Sequence, residues 1–118
     1  MSINEIIINA LSKFNLPIAL NNYKNKDNLD MYLVWNVSDD RCTYYADNEP
    51  LFDTVSVQVH LFIKDNINYL QLKKDIRNSL CDSNFTYPSV TMLHEDEEKL
   101  NHIVFECEIN ITTEREEK

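Results

Sequence analysis

The chain has 118 residues, 43% of them apolar, and a net charge of −9 from 11 basic and 20 acidic side chains. That length is one domain, residues 1–118, with room for a core that needs no metal or disulfide staple, and the apolar content excludes a disordered chain. The few, scattered basic residues exclude phosphate-backbone binding, which takes clustered Lys and Arg, and the acidic surplus disfavours anionic membranes.

The opening segment, MSINEIIINALSKF, has no basic n-region and its apolar run is broken by Asn and Glu, so it is expected to be structural rather than a leader. Ser2 and Glu5 have the spacing of a capping box, which satisfies orphan backbone donors at a helix start. Behind them Ile3, Ile6, Ile7, Ala10, Leu11 and Phe14 recur at three- and four-residue steps. An amphipathic helix is predicted within residues 1–17, ended by Pro17.

The polar, aperiodic stretch Asn21–Asn28 reads as a loop, and MYLVWNV (Met31–Val37) as a first strand. SDDRC is expected to turn the chain, with Tyr44 and Tyr45 opening a short strand before ADNEP breaks it. From Thr54 to Ile63 the alternation is nearly complete. Val55, Val57, Val59, Leu61 and Ile63 point to one face, and Thr54, Ser56, Gln58 and His60 to the other. Asn66 is expected to cap a second helix whose Tyr69, Leu72, Ile76 and Leu80 share a face. CDSNF stops it, a short strand runs around Phe85–Leu93, and HEDEEKLNH is an acidic turn. In the last strand Ile103, Phe105, Cys107, Ile109 and Ile111 face inward, with Glu106, Glu108 and Asn110 outward; the charged tail, residues 112–118, is expected to fray. The fold class is α+β: a mostly antiparallel sheet of about four to five strands, with the two helices packed on one face.

No stretch approaches the ~20 apolar residues that span a bilayer. Cys42, Cys81 and Cys107 are odd in number and far apart, which argues for free thiols in a reducing cytosol. Glycine is absent, so a P-loop, a dinucleotide fingerprint and the usual nucleophile elbow are all excluded. Asparagine, abundant here, tolerates positive φ and is expected to serve the turns.

One cluster hints at metal chemistry: His94, Glu95, Glu98 and His102. A zincin pair needs two histidines one helical turn apart, whereas Glu98 holds the second position in what reads as a turn, so a solvated acidic hairpin is the stronger interpretation. His60 has no serine or cysteine partner in a nucleophile setting, and Cys107, alternating with Ile and Phe, reads as a buried thiol. No catalytic, metal or cofactor residues are assigned. Trp35, Tyr44 and Tyr45 are either core aromatics or anchors at a subunit contact; adjacent Tyr44 and Tyr45 must face opposite sides of a strand, so one of them looks outward.

From Met31 to Ile111 the chain resembles the tail completion, or tail terminator, proteins of tailed phages, prophages and phage-tail-like bacteriocins of Gram-positive bacteria. The resemblance rests on the order of YYADNEP, VSVQVHLFIKD, a helix ending LKKDIRNSL, the aromatic NFTYP, and EDEEKLNHIVFECEI. The glycine often found in that family near NFTYP is missing.

The resemblance implies a structural part rather than an enzyme. Such proteins form a ring, usually of six copies, on the head-proximal end of the tail tube. The ring ends tube polymerisation and offers the docking surface to the head connector or collar. The implied partners are the chain itself, the tail tube protein, the sheath and the head-side neck proteins. DNA passes through the ring without sequence-specific binding, and no membrane is involved. Assembly takes place in the host cytoplasm. The expected contact residues are Tyr44, Tyr45, Asp47, Asn48, Glu49 and Pro50; Ser56, Gln58 and His60 on the polar side of the long strand; and Glu95, Asp96, Glu97, Glu98 and Lys99 in the acidic turn. Another neck or head–tail joining protein of similar fold is an alternative within the same class. A small cytosolic enzyme or ligand-binding domain is the alternative from a different class.

Overall fold

The structure, a computed structural model, describes residues 2–22, 29–46 and 49–112. In chain order it contains helix α1 (Ile3–Leu11) with a 3₁₀ turn (Ser12–Phe14), strands β1 (Ile18–Leu20), β2 (Met31–Ala46) and β3 (Glu49–Lys64), helix α2 (Leu70–Asp82), and strands β4 (Ser89–Glu95) and β5 (Leu100–Thr112). The five strands form one sheet in the order β1-β2-β3-β5-β4; only the β1–β2 pair is parallel. The expected α+β class, with a mostly antiparallel sheet and two helices, is the fold found.

Local chemistry explains where each element begins and ends. Ser2 Oγ accepts the Glu5 N–H at 3.2 Å, the predicted cap of α1. The last carbonyls of α1 are met by Ser12 N–H on Ile8, by the Ser12 hydroxyl on Asn9 and, from α2, by the Ser79 hydroxyl on Ala10. Among the described residues, positive φ falls on Asn15, Asn21, Asn84 and Lys99, so asparagine does take the turn positions where glycine is missing. Asn84 closes α2 in a Schellman motif: its N–H reaches the Cys81 carbonyl, and Phe85 N–H reaches that of Leu80.

Three expectations are corrected. SDDRC does not turn the chain: β2 runs through it to Ala46, because β3 offers a partner strand of equal length, and register shifts at Val37/Asp39 and Cys42/Tyr44 absorb the misfit. Tyr44 and Tyr45 therefore continue β2 rather than starting a strand. Asn66 does not cap α2: the chain first makes a turn, Ile67 N–H to the Lys64 carbonyl, and it is the Asn68 side chain that accepts the Leu70 N–H. Residues 18–20, between the predicted helix and loop, add the short parallel strand β1. Of the predicted loop, residues 23–28 lie outside the described residues, as does the expected fraying tail from residue 113 onward.

Both helices cover one face of the sheet. The core joins Ile7, Ala10 and Leu11 of α1, Ile76 and Leu80 of α2, Phe85, and the inward residues of β2, β3 and β5, with Trp35 and Phe105 the largest. The radius of gyration, 16.0 Å, exceeds the ~13.5 Å typical of this length, and the longest dimension is 55 Å. Two sixteen-residue strands, at about 3.3 Å per residue, account for that length. No helix among the described residues is long and apolar enough to cross a membrane.

Candidate functional site

The face of the sheet away from the helices carries the distinctive chemistry. At one end of it Tyr32, Phe62 and His102, level with one another on β2, β3 and β5, stack in a row, with ring centroids 4.8 and 4.2 Å apart. One step along, His60 lies between Val34 and Val104. Tyr32, Val34, Leu100 and Val104 are buried without belonging to the main core, so this end is a second, smaller apolar cluster. Asn21 and Asn22 border it, framing an open hollow of ≈ 180 Å³ with Val34, His60, Phe62 and His102.

A chain of polar side chains crosses the same face. Glu106 Oε1 accepts from Gln58 Nε2 at 3.4 Å, and Gln58 Oε1 accepts from Asn36 Nδ2 at 3.4 Å. Asn36 Oδ1 lies 2.8 Å from His60 Nε2, and His60 Nδ1 lies 2.7 Å from His102 Nε2. The far nitrogen, His102 Nδ1, is buried with no hydrogen-bond partner and has Glu95 Oε1 at 3.5 Å. Burial holds both imidazoles below their ordinary pKa. The neighbouring His102 adds to the shift on His60 and Glu106 opposes it; Glu95 opposes it on His102. Further along, Ser56 reaches Glu108 and Thr54 reaches Asn110.

Ser56, Gln58 and His60 thus stand on the predicted face, half-buried, with their side chains bonded sideways to neighbouring strands. Tyr44, Tyr45, Glu49 and Pro50 pair at the end of the β2–β3 hairpin (Tyr45 with Pro50, Ala46 with Glu49); Asp47 and Asn48 lie outside the described residues. Glu95 ends β4, and Asp96, Glu97, Glu98 and Lys99 form an exposed turn, tied by Asp65 N–H to the Lys99 carbonyl.

The His94, Glu95, Glu98 and His102 cluster is split by strand geometry. His94 and His102 pair with Asn101 and Leu93 respectively, so their side chains leave opposite faces of the sheet. His94 bonds Asp96 at 2.7 Å, which raises its pKa, and lies 3.6 Å from Asp65. Among the described residues no group of three His, Cys, Asp or Glu side chains could hold a metal ion. Cys107 is buried in the core and its thiol is pushed up to about 12, chiefly by burial.

Sequence reasoning missed the His60–His102 pair and the part of Asn36 in it. Alternation assigns His60 to its face, but the three residues meet only through the register of β2, β3 and β5, which no local pattern encodes. No protein-family model matches this chain, and no curated protein matches it.

Proposed function

We propose that the chain is a ring-forming structural subunit of a phage tail or tail-like particle: the terminator that caps the head-proximal end of the tail tube, ends its polymerisation and offers a docking surface to the head connector or collar. One observation carries the reading beyond the resemblance, namely the separation of the two candidate contact segments. Tyr45 pairs with Pro50 at the far end of the β2–β3 hairpin, past the last β5 pairing at Phe52 and Thr112. Glu95 and Lys99 stand at the other end of the sheet, where Leu100 begins β5 opposite Lys64. A head-to-tail ring needs two different surfaces on every copy, and contact segments set at the two ends of a 55 Å molecule suit that requirement.

The charge fits the same role. With −9 on each copy, a ring multiplies the acidic surplus, and a like-charged wall repels DNA and lets it slide. The partners on this reading are further copies of the chain, the tail tube protein, the sheath and the head-side neck proteins, and its place is the neck of the particle. Image reconstruction of purified particles or tails tests it. A single ring of this chain at the head-proximal end of the tube is expected; its absence from every particle overturns the proposal.

A further inference from the structure

β4 is one edge of the sheet, and six of its seven residues are exposed. One row of its backbone groups pairs with β5 and the other faces outward. Open edges are ordinarily blunted by charge, proline or a bulge. The run SVTML (Ser89–Leu93) carries neither charge nor proline, its pairing with β5 proceeds without a register shift, and Met92 and Leu93 are 42% and 51% exposed.

The two ends of β4 carry opposite, fixed charges on the helix side of the sheet. At its start the Arg77 guanidinium donates twice to the Pro88 carbonyl, at 2.9 and 3.1 Å, and lies 4.3 Å over the Tyr87 ring. Just past its end stands Asp96, whose side chain is 94% exposed and held by His94. We propose that β4 pairs antiparallel with β4 of a second copy of this chain, about a two-fold axis at Met92. In that register Ser89 faces Glu95, Val90 faces His94 and Thr91 faces Leu93, so the whole strand is used. Asp96 of each copy then meets Pro88 of the other, where Arg77 sits, and the charge match occurs twice in one contact.

The opposite edge of the sheet, β1, is a poorer occupant. Pro17 and Asn21 turn toward β2, through Leu33 N–H to the Pro17 carbonyl and Asn21 N–H to that of Trp35. By alternation only Ile18 and Leu20 present backbone groups outward, and the Leu20 carbonyl already accepts from Asn22 N–H. An isologous contact closes at two copies. It therefore cannot build a head-to-tail ring, and because it occupies Glu95 and Asp96 of the acidic turn that the ring reading also uses, it describes the free chain before assembly.

Light scattering on the full chain, with cysteine trapping, tests the pairing. Residues opposite each other at the axis have Cα atoms about 4.5–5.5 Å apart, within disulfide reach. In a Cys81→Ser background, Met92→Cys is expected to cross-link two copies on mild oxidation, whereas Ser89→Cys, which faces Glu95 and not itself, stays uncrosslinked. Wild-type chain is expected at twice the monomer mass. Asp96→Arg and Arg77→Glu should each weaken the pair at least tenfold, and the two together should restore most of the loss. A wild-type monomer at every concentration overturns the proposal. So does equal cross-linking of both cysteine variants, or a larger assembly indifferent to the β4 substitutions, which would point to β1 or another surface. None of these outcomes bears on whether a ring caps the tail tube.

Discussion

His60 Nδ1 and His102 Nε2 are 2.7 Å apart on neighbouring strands, and the polar chain around them determines which ring owns the proton between them. The Glu106 carboxylate can only accept, so Gln58 turns its NH₂ toward it and its oxygen toward Asn36. Asn36 in turn offers its NH₂ to Gln58 and its oxygen to His60, so His60 Nε2 is the donor. A neutral His60 then accepts at Nδ1, and His102 donates from Nε2. That leaves His102 Nδ1 as a bare, buried lone pair facing Glu95. A first proton on the pair settles there, as N–H toward the carboxylate; a second, on His60 Nδ1, destroys the bond.

The pH dependence of stability follows, with its sign. Both pKa values are lowered in the folded state, so below the ordinary imidazole value, about 6.5, the unfolded chain binds more protons. This part of the stability is complete above about pH 6.5 and is lost as pH falls from there through the lower folded-state values. His94, raised by Asp96, acts the other way: it adds stability at low pH that disappears as pH rises through its folded value. In a His94→Gln background the thermal midpoint should therefore fall as pH drops from about 7.5 to 5.5. The drop should shrink in a His60→Gln/His102→Gln chain. Equal pH slopes in the two chains would remove the pair as its source.

The direction of the polar relay is testable by itself. Asn36→Asp sets a carboxylate against His60 Nε2, where an uncharged oxygen now stands 2.8 Å away. An opposite charge at that distance favours the protonated ring, so the His60 titration followed by NMR should move upward, and that of His102 less. An unmoved His60 would mean that Asn36 does not present its oxygen to the ring.

What could be read in advance was what the chain repeats locally. The period-two runs of β3 and β5 and the apolar stripe of α1 each specify one buried face, and those faces form the core. What could not be read depends on partners distant in sequence. Ser38 to Cys42 looks like a turn by composition and becomes strand only because Ser56 to Asp53 lies opposite. His60, Asn36 and His102 come from three segments, and their meeting is a matter of register. Ile18–Leu20 is too short to show periodicity and is a strand because β2 accepts it.

The two helices are joined by one buried polar contact. Ser79 is 3% exposed, and its hydroxyl donates to the Ala10 carbonyl in the last turn of α1. Ser79→Ala removes the donor but leaves the carbonyl buried, which costs about 1–3 kcal/mol. Urea unfolding should report a loss of that size with an unchanged slope. A loss below about 0.5 kcal/mol, the scale of a neutral surface substitution, would mean that water or a shifted helix replaces the bond.

Asn84 tests how a chain without glycine ends its helices. Its φ of 76° is the left-handed region, where a Cβ approaches the following carbonyl at a cost of about 1–2 kcal/mol for most residues. Asparagine lowers that cost through local hydrogen bonding; alanine cannot. Asn84→Ala should therefore destabilise the fold by about 1 kcal/mol. Asn84→Gly relieves the Cβ contact but releases a more mobile unfolded chain, a penalty of about 0.5–1 kcal/mol. The two effects nearly cancel, so the glycine variant should stay within about 0.5 kcal/mol of the parent. The helix end is well placed to report the difference, because Phe85 and Leu80, joined across the motif, are both in the core. If alanine proved as stable as asparagine by urea unfolding, side-chain hydrogen bonding would not be what holds the left-handed turn, and the core contact of Phe85 alone would hold it.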